Sequence, residues 1–356
     1  MLSNLELARY NRHIILPELG FEGQQKLKQA SVLVIGAGGL GCPVLQYLVA
    51  AGVGTIGIID DDRVEESNLQ RQILYNLDDI GSFKAEVAAR KLALQNPFVN
   101  FNVYTQRLGN QNALAVFKSY DLIIDGSDNF PTRYLVNDAC VILDKPLVFG
   151  SVFKFEGQVS VFNFKNGPTY RCLFPDQPED SPNCSEIGVI GVLPGIIGSM
   201  QANEAIKIIT GIGEVLSGKL MVFDALKMNF QLLQFFKNDQ NLLISELGNY
   251  QELCEAPMSK IKEISIEELK IKIKAGEDIQ IIDVREPHEF ELFHIDAELI
   301  PLNIITQNQH KISTTKQVII HCQRGSRSLM AIKLLQENSN ASNLYNLTGG
   351  IEKWNE

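Results

Sequence analysis

Two short stretches of the chain carry residues whose types and spacing could do chemistry. The first is GAGGLG, in which Gly36, Gly38 and Gly41 follow a short apolar run. Glycines at this spacing permit a tight turn and a close approach of phosphate to the backbone, and a helix that begins there presents free N–H groups to an anion. Asp60 ends the next apolar run, where a carboxylate can hold ribose hydroxyls. On these residues alone NAD, FAD and ATP fit equally well.

Residues downstream of the glycine loop favour a triphosphate. Asn68 and Arg71 lie in SNLQRQ, Lys84 in GSFKAEVAARK, and Asp128 in DGSDN. Two cations near such a loop suit a ligand whose charge is concentrated at one end, and Mg²⁺ is held by one or two carboxylates plus phosphates. For each residue a plainer interpretation stands beside this one: solvated surface charges for Arg71 and Lys84, and a simple turn for Asp128–Asn129. The joint occurrence favours ATP with Mg²⁺ at Asp128.

The second stretch is VIIHCQRGSRS, which places Cys322 between an apolar run and a glycine-containing turn. Backbone N–H groups in such a turn, with Arg324 and Arg327 nearby, are expected to favour a thiolate. The alternative is a buried cysteine at the end of a strand. Only four residues separate Cys322 from Arg327, a shorter loop than a cysteine phosphatase uses, which suits a persulfide better than a phosphate.

The elements that must position these residues alternate between strand and helix. Apolar runs such as SVLVIG, TIGIID and DLIIDG read as buried parallel strands, and PVLQYLVAAG and KAEVAARKLALQN as helices between them. This alternation predicts a doubly wound α/β sheet. A new strand and helix pattern begins near residue 261. We therefore predict a first domain at 1–245, a linker or covering segment at 246–260, and a small α/β domain at 261–356.

Composition limits the surroundings in which the protein acts. The chain has 356 residues and a net charge of −10, which argues against general binding of nucleic acid. No run of 18 apolar residues is present, and the N-terminus lacks the apolar core of a signal peptide. We expect a cytoplasmic protein without a membrane partner.

The motifs of the first domain resemble those of the MoeB/ThiF adenylyltransferases, relatives of the catalytic core of ubiquitin-activating enzymes. The resemblance spans roughly residues 5–235 and rests on RYNRHIILPELGFEGQQKL, GAGGLG, DDRVEESNLQRQ, DGSDNFPTR and GQVSVF. It implies a Rossmann-like fold, a homodimer, and adenylation of the C-terminal glycine of a ubiquitin-like sulfur carrier of the MoaD or ThiS type. The residues it implies for ATP-Mg²⁺ are Gly39, Asp60, Ser67, Asn68, Leu69, Gln70, Arg71, Lys84, Asp128 and Asn129. It also implies that Arg12 reaches the neighbouring ATP from the partner subunit.

The last hundred residues resemble the rhodanese sulfurtransferases. The four-residue loop after Cys322, IIDVREPHEFELFHIDAELIPL and the terminal LTGGIEKW carry this resemblance. It implies a persulfide on Cys322, with Arg327 in its cradle and a cysteine desulfurase or thiosulfate as sulfur donor. Asp283, Arg285 and His294 are interpreted as structural, and His321 as a strand-end residue rather than a base.

The remaining cysteines receive separate interpretations. Cys184, in SPNCSEIGVIG, matches a cysteine that several MoeB/ThiF proteins use near the adenylate, and we predict a catalytic thiol there. Cys42 and Cys140 lie on apolar helix faces and are predicted to be core. Many relatives hold zinc with two CxxC pairs, but here Thr169 stands where the mate of Cys172 would be. Four thiolates are the usual structural set, so no zinc site is expected and Cys172 is predicted to be a core residue.

Together these patterns predict an enzyme that adenylates a sulfur carrier and converts it to a thiocarboxylate for molybdopterin, thiamin or tRNA sulfur metabolism. The alternatives are an NAD-dependent oxidoreductase with an appended rhodanese, a non-catalytic carrier-binding scaffold, and an isopeptide-forming enzyme that makes a thioester through Cys184. The nicotinamide alternative leaves Arg71 and Lys84 without a role.

Overall fold

The structure is a computed structural model that describes residues 1–175, 188–250, 261–338, 341–352 and 354. The chain divides into two compact units, Met1–Cys254 and Glu255–Glu356. Most of the predicted linker, 251–260, lies outside the described residues. Its beginning covers the first unit, since Tyr250 is buried there and its hydroxyl donates a 2.7 Å hydrogen bond to the Asp138 carboxylate. Among the described residues, no helix combines the length and the apolar character that crossing a membrane requires.

An eight-stranded sheet forms the centre of the first unit, in the order β3-β2-β1-β4-β5-β6-β7-β8. The strands are β1 (Ser31–Ile35), β2 (Thr55–Ile59), β3 (Asn100–Tyr104), β4 (Leu122–Asp125), β5 (Leu147–Phe153), β6 (Glu156–Phe162), β7 (Lys219–Asp224) and β8 (Asn229–Gln234). Neighbours pair in parallel from β3 to β5 and antiparallel from β5 to β8. The strand order reverses between β1 and β4, and ligands of such sheets bind outside the carboxyl ends of the strands at that point.

Helices cover both faces of this sheet. They are α1 (Asn4–Arg9), α2 (Asn11–Ile14), α3 (Gly20–Gln29), α4 (Gly41–Ala51), α5 (Lys84–Gln95), α6 (Ala113–Phe117), α7 (Phe130–Ile142), α8 (Tyr170–Leu173) and α9 (Val192–Thr210). Val32 and Val34 of β1 pack with residues of α4, α5 and α9, whereas Leu33 and Ile35 pack with residues of α6 and α7. Successive side chains of a strand point to opposite faces, so a strand covered on both sides is apolar throughout. The predicted doubly wound α/β fold is confirmed.

The second unit is a smaller α/β layer structure. Its parallel sheet has the order β11-β10-β12-β13-β9. Its elements are β9 (Lys262–Ile264), α10 (Ile266–Ala275), β10 (Ile279–Asp283), α11 (Pro287–Leu292), β11 (Glu298–Leu299), β12 (Gln317–His321), α12 (Ser326–Asn338) and β13 (Leu344–Leu347). Ser265 starts α10 with a reciprocal pair of hydrogen bonds to Glu268, and Gly276 ends it in the left-handed conformation. The central strand β12 delivers Cys322 to the turn before α12.

Candidate active sites

The glycine loop lies between the carboxyl end of β1 and the start of α4, as the motif predicts. Gly36 has a φ of +83°, and a Cβ there would lie 2.9 Å from the carbonyl oxygen of Gly126. The loop after β1 therefore touches the loop after β4, and a side chain at Gly36 would push them apart. This contact places the glycine loop and Asp128 at the same edge of the sheet.

Asp60 holds the glycine loop in shape. Its carboxylate accepts hydrogen bonds from the backbone N–H of Ala37 at 2.6 Å and of Asp62 at 2.8 Å. Burial raises the pKa of the Asp60 carboxyl, and the nearby Lys84 ammonium opposes that change. The structure thus brings Asp60 to the glycine loop, with one carboxylate oxygen engaged by the loop backbone.

Lys84 is a buried cation at the first turn of α5. Only 5% of the residue is exposed, and its ammonium pairs with Asp62 Oδ2 at 2.8 Å. Asp62 itself is exposed, as are Asp61 and its turn. An exposed carboxylate can turn into solvent, so Lys84 can exchange this partner for a phosphate without leaving an unpaired charge.

The SNLQRQ motif forms a short turn whose side chains hold its own backbone. Asn68 is buried, and its side-chain oxygen accepts a 3.3 Å hydrogen bond from the backbone N–H of Glu65. Arg71 is half-buried and donates to the carbonyl oxygen of Ser67 at 3.1 Å. It forms no ion pair with a carboxylate among the described residues. The side-chain stem of Arg71 lies beside Gly39, so this cation lies against the glycine loop. Leu69 is half-buried, and Gln70 and Ser67 are exposed.

The side chains of Asp128 and Asn129 differ in their hydrogen-bond partners. Asn129 caps α7, because its side-chain oxygen accepts a 3.0 Å hydrogen bond from the Thr132 N–H. Asp128 is exposed. Among the described residues, its carboxylate accepts a hydrogen bond only from the Asn129 amide, at 3.5 Å. The turn interpretation therefore applies to Asn129, whereas the Asp128 carboxylate offers oxygen atoms of the kind that Mg²⁺ binds.

The crevice at this edge of the sheet, where the loops after β1 and β4 meet, also contains buried polar groups that the sequence analysis did not identify. Gln72 Oε1 and Ser127 Oγ are buried and have no hydrogen-bond partner among the described residues. Buried polar atoms are normally paired, so each such atom calls for a ligand or a water. Gln72 directly follows Arg71, and that adjacency within the motif is the one signal that could have identified it.

Arg12 lies on α2, away from any carboxylate partner among the described residues, and is exposed. Ile15 and Leu16, the first two residues after this helix, are 57% and 49% exposed. Its predicted contribution to a partner's ATP stays a prediction. Cys184 falls in 176–187, outside the described residues, and its predicted role likewise stays a prediction.

Cys322 lies in a strand–turn–helix cradle. The residue is 1% exposed, and its Sγ accepts a hydrogen bond from the backbone N–H of Gly325 at 3.1 Å. Ser328 Oγ lies 3.6 Å from the sulfur and 2.7 Å from Asn346 Oδ1, so the Gly325 amide is the firmer donor. The Ile351 N–H donates to the Cys322 carbonyl oxygen at 3.0 Å, and the terminal glycine segment thereby backs the loop.

Both arginines of this loop are paired with carboxylates. Arg327 makes two hydrogen bonds to Glu289, of 2.6 and 2.7 Å, and Arg324 contacts Glu352 at 3.1 Å. Hydrogen bonds from Arg327 lower the pKa of Glu289 to about 2. The sequence could not show these pairs, because each carboxylate comes from a distant segment.

The neighbouring residues of the loop behave as structural groups. Arg285 and Asp283 form a buried pair at 2.7 Å, and His294 stacks on Phe290 with the ring centres 4.3 Å apart. His321 is fully buried, and burial lowers its pKa to about 4. It shares a face of β12 with Ile319, opposite to the face of Cys322. A neutral imidazole on the far side of the strand cannot serve Cys322 as a base.

The structure corrects the prediction for one cysteine. Cys42 and Cys140 are fully buried, as predicted, but Cys172 is half-exposed rather than core. Its sulfur lies 3.4 Å from Thr169 Oγ1 and accepts a 3.3 Å hydrogen bond from the Asn238 N–H. Burial alone would raise the pKa of this thiol, but these hydrogen bonds outweigh it and lower the pKa. A short helix and the chain after β8 meet here in a polar contact that the local sequence does not reveal.

Comparison with known proteins identifies a family for each of the two units. The ThiF family matches residues 10–244, and the rhodanese-like domain matches residues 265–356. A probable adenylyltransferase/sulfurtransferase MoeZ from Mycobacterium tuberculosis is 44% identical over 99% of this chain and 94% of that protein. A sulfur carrier protein adenylyltransferase from Thermus thermophilus is 52% identical over 70% of this chain and 95% of that protein.

More distant proteins share the architecture. The adenylyltransferase and sulfurtransferase MOCS3 of Drosophila sechellia is 41% identical over 99% of this chain and 84% of that protein. The crystal structure of E. coli MccB with MccA-N7isoASN superposes with a TM-score of 0.60 at 22% identity, over 70% of this chain and 76% of that chain. At that identity the similarity speaks to the fold alone. The chain belongs to the ThiF family, carries a rhodanese-like domain after it, and is an enzyme of the adenylyltransferase and sulfurtransferase class.

Proposed function

We propose that the enzyme adenylates the C-terminal glycine of a ubiquitin-like sulfur carrier and then delivers sulfur to it from a persulfide on Cys322. The observation that carries the first half is Arg71, a half-buried cation against the glycine loop with no carboxylate partner among the described residues. Such a cation suits a polyphosphate better than the ribose–nicotinamide end of NAD. The carrier as substrate is supported by the name of the Thermus relative.

The nucleotide would lie across the edge of the sheet where the loops after β1 and β4 meet. Gly39 and the N–H groups of α4 face the phosphates, Asp60 the ribose, and Asn68, Arg71 and Lys84 the phosphate oxygens, with Ser67, Leu69, Gln70 and Asn129 lining the site. Asp128 would hold Mg²⁺, whose chemical contribution is to neutralise phosphate charge. The buried Gln72 Oε1 and Ser127 Oγ provide further polar atoms in the same crevice.

The adenylation step makes a poor electrophile reactive. A carboxylate oxygen of the carrier's terminal glycine attacks the α-phosphate, the bond to the β-phosphate breaks, and pyrophosphate leaves with the electron pair. Negative charge grows on the phosphate oxygens, and Arg71, Lys84 and the partner's Arg12 neutralise it. Fixed cations in a site that excludes water act most strongly on such charge.

Sulfur transfer uses the product of that step. The Cys322 persulfide attacks the acyl carbonyl, AMP leaves, and an acyl disulfide joins the carrier to Cys322. A second thiolate, which we assign to Cys184, attacks the Cys322 sulfur and releases the carrier thiocarboxylate. A Cys184–Cys322 disulfide remains, and an external thiol reductant returns it to two thiols.

The exposed surface around Arg12 and the net charge of the chain support a homodimer that acts on a protein partner. The exposed, unpartnered Arg12 and the exposed Ile15 and Leu16 support a homodimer in which each copy completes the other's site. The net charge of −10 supports a protein partner rather than nucleic acid. We propose a cytoplasmic enzyme that supplies thiocarboxylate for molybdopterin, thiamin or tRNA sulfur chemistry.

Intact mass of a carrier with a Gly-Gly terminus tests both halves. After incubation with the enzyme, ATP-Mg²⁺, thiosulfate and a reductant, the carrier is expected to gain one sulfur in place of one oxygen. Cys322→Ala is expected to abolish the gain, whereas Cys172→Ser, a half-exposed thiol of the other unit, keeps it. Formation of AMP without any mass gain contradicts the sulfur-transfer half. Absence of carrier-dependent exchange of pyrophosphate into ATP contradicts the adenylation half.

A further inference from the structure

All three arginines of the second unit are neutralised by carboxylates near Cys322. Arg285 pairs with Asp283 at 2.7 Å, Arg327 with Glu289 at 2.6 Å, and Arg324 with Glu352 at 3.1 Å. The Arg285 pair is buried and also reaches Gln323, the residue after the cysteine, at 3.1 Å. The Arg324 pair is exposed, and exposed pairs contribute little. Arg327 is the cation of the loop whose pairing has the most consequence.

The Arg327–Glu289 pair is fixed at both ends. Two parallel hydrogen bonds join the guanidinium to the carboxylate, and the two side chains are only 22% and 24% exposed. The Glu289 carboxylate also accepts a 3.0 Å hydrogen bond from the Glu286 N–H at the start of α11. With its pKa lowered to about 2, Glu289 carries its charge at every physiological pH. Bidentate pairs of this kind are the strong, geometrically specific ones.

An arginine that is already paired with a carboxylate binds a dianion weakly. Thiosulfate that approaches the Cys322 loop meets the Glu289 carboxylate together with the guanidinium, and binding requires that the pair be broken. A persulfide on another protein's cysteine brings the same sulfur atom with at most one charge. We propose that Glu289 is a specificity-determining residue that occupies Arg327 and makes the loop favour a thiol-bound persulfide over thiosulfate. This inference rests on the proposed function of Cys322.

The two donors deliver sulfur by the same displacement. The Cys322 thiolate attacks the outer sulfur, the donor's S–S bond or S–sulfonate bond breaks, and the leaving group departs with the electron pair. The leaving group is sulfite from thiosulfate and a thiolate from a donor persulfide. Only the first leaves as a dianion, so an arginine released from Glu289 stabilises the thiosulfate reaction more.

Thiosulfate kinetics in the full chain test the inference, with cyanide as sulfur acceptor and thiocyanate as product. Glu289→Gln is expected to lower the KM for thiosulfate about tenfold, or about 1.4 kcal/mol, with kcat within about twofold of the wild type. Transfer from a cysteine desulfurase persulfide is expected to stay unchanged. Glu352→Gln is the matched control, since it removes a carboxylate partner of the exposed Arg324 and is expected to change the KM less than about twofold.

The outcomes separate the inference from the proposed function. A thiosulfate KM that is unchanged or higher in a folded Glu289→Gln variant overturns the inference and leaves the Cys322 persulfide intact. If Glu289→Gln fails to fold, Glu289→Asp decides, because its shorter side chain cannot keep both hydrogen bonds to Arg327. The KM for thiosulfate is then expected to fall several-fold, and an unchanged KM overturns the inference. If no variant and no donor gives a persulfide on Cys322, the proposed function fails and the inference fails with it.

Discussion

Replacement of Gly350 by alanine tests how far the terminal segment shapes the Cys322 loop. Gly350 has a φ of +66°, and a Cβ there would lie 2.5 Å from the carbonyl oxygen of Cys322 and 2.5 Å from the backbone nitrogen of Arg324. Both atoms belong to the backbone of the loop and cannot rotate away. Either the loop or the terminal segment must therefore shift, and the cradle of Cys322 opens.

The neighbouring glycine supplies the control. Gly349 has a φ of +76°, and a Cβ there would meet nothing within 4 Å. Both alanine variants lose about 1 kcal/mol of unfolding free energy from the left-handed conformation. Only Gly350→Ala adds the overpacking cost of about 1–3 kcal/mol. We expect a loss of about 1 kcal/mol for Gly349→Ala and about 3 kcal/mol for Gly350→Ala.

Urea unfolding followed by tryptophan fluorescence measures the difference. The chain has one tryptophan, Trp354, which packs with Ile264, Leu269 and Ile351 in the second unit. Its signal therefore reports that unit alone. Gly350→Ala is also expected to slow persulfide formation on Cys322, whereas Gly349→Ala does not. Equal losses of stability in the two variants, with equal persulfide rates, would refute the steric reasoning.

The remaining predictions concern the dimer, the metal and pH. Arg12→Ala and Lys84→Met are each expected to lower carrier-dependent pyrophosphate exchange about a hundredfold or more. A mixture that exchanges subunits is expected to regain about a quarter of the wild-type rate, since one site in four carries neither change in a two-fold dimer; no recovery would contradict a site shared between subunits. Asp128→Asn is expected to raise the half-saturating Mg²⁺ concentration about tenfold, with an unchanged melting temperature because the side chain is exposed; an unaltered Mg²⁺ dependence would remove Asp128 from the metal site. The folded-state pKa of His321 is about 4 against an ordinary value of 6.5, so the unfolded state takes up the proton first. The second unit is expected to lose about 3 kcal/mol as pH falls through that range, and a His321→Asn variant that loses stability as steeply would contradict this origin.

The sequence by itself determined the features that depend on neighbouring residues. Apolar runs of β1, β2 and β12 indicate strands buried on both faces, because such strands have no polar side. GAGGLG indicates a phosphate loop because its closely spaced glycines permit a tight turn, and Gly36 does adopt a positive φ of +83°. The four residues between Cys322 and Arg327 likewise predict a small turn, since the size of a turn is set by its length.

Tertiary structure decided which charges are free. Arg71 and Arg327 are alike in the sequence, as arginines inside motifs that could do chemistry. Arg71 has no carboxylate partner among the described residues, whereas Arg327 is held by Glu289. Cys172, in turn, meets Asn238 and lies in a polar contact rather than in the core. Partners of this kind are brought together by strand order and loop packing, over separations of many residues. An electrostatic interaction depends on distance in space, and the local sequence carries no record of that distance.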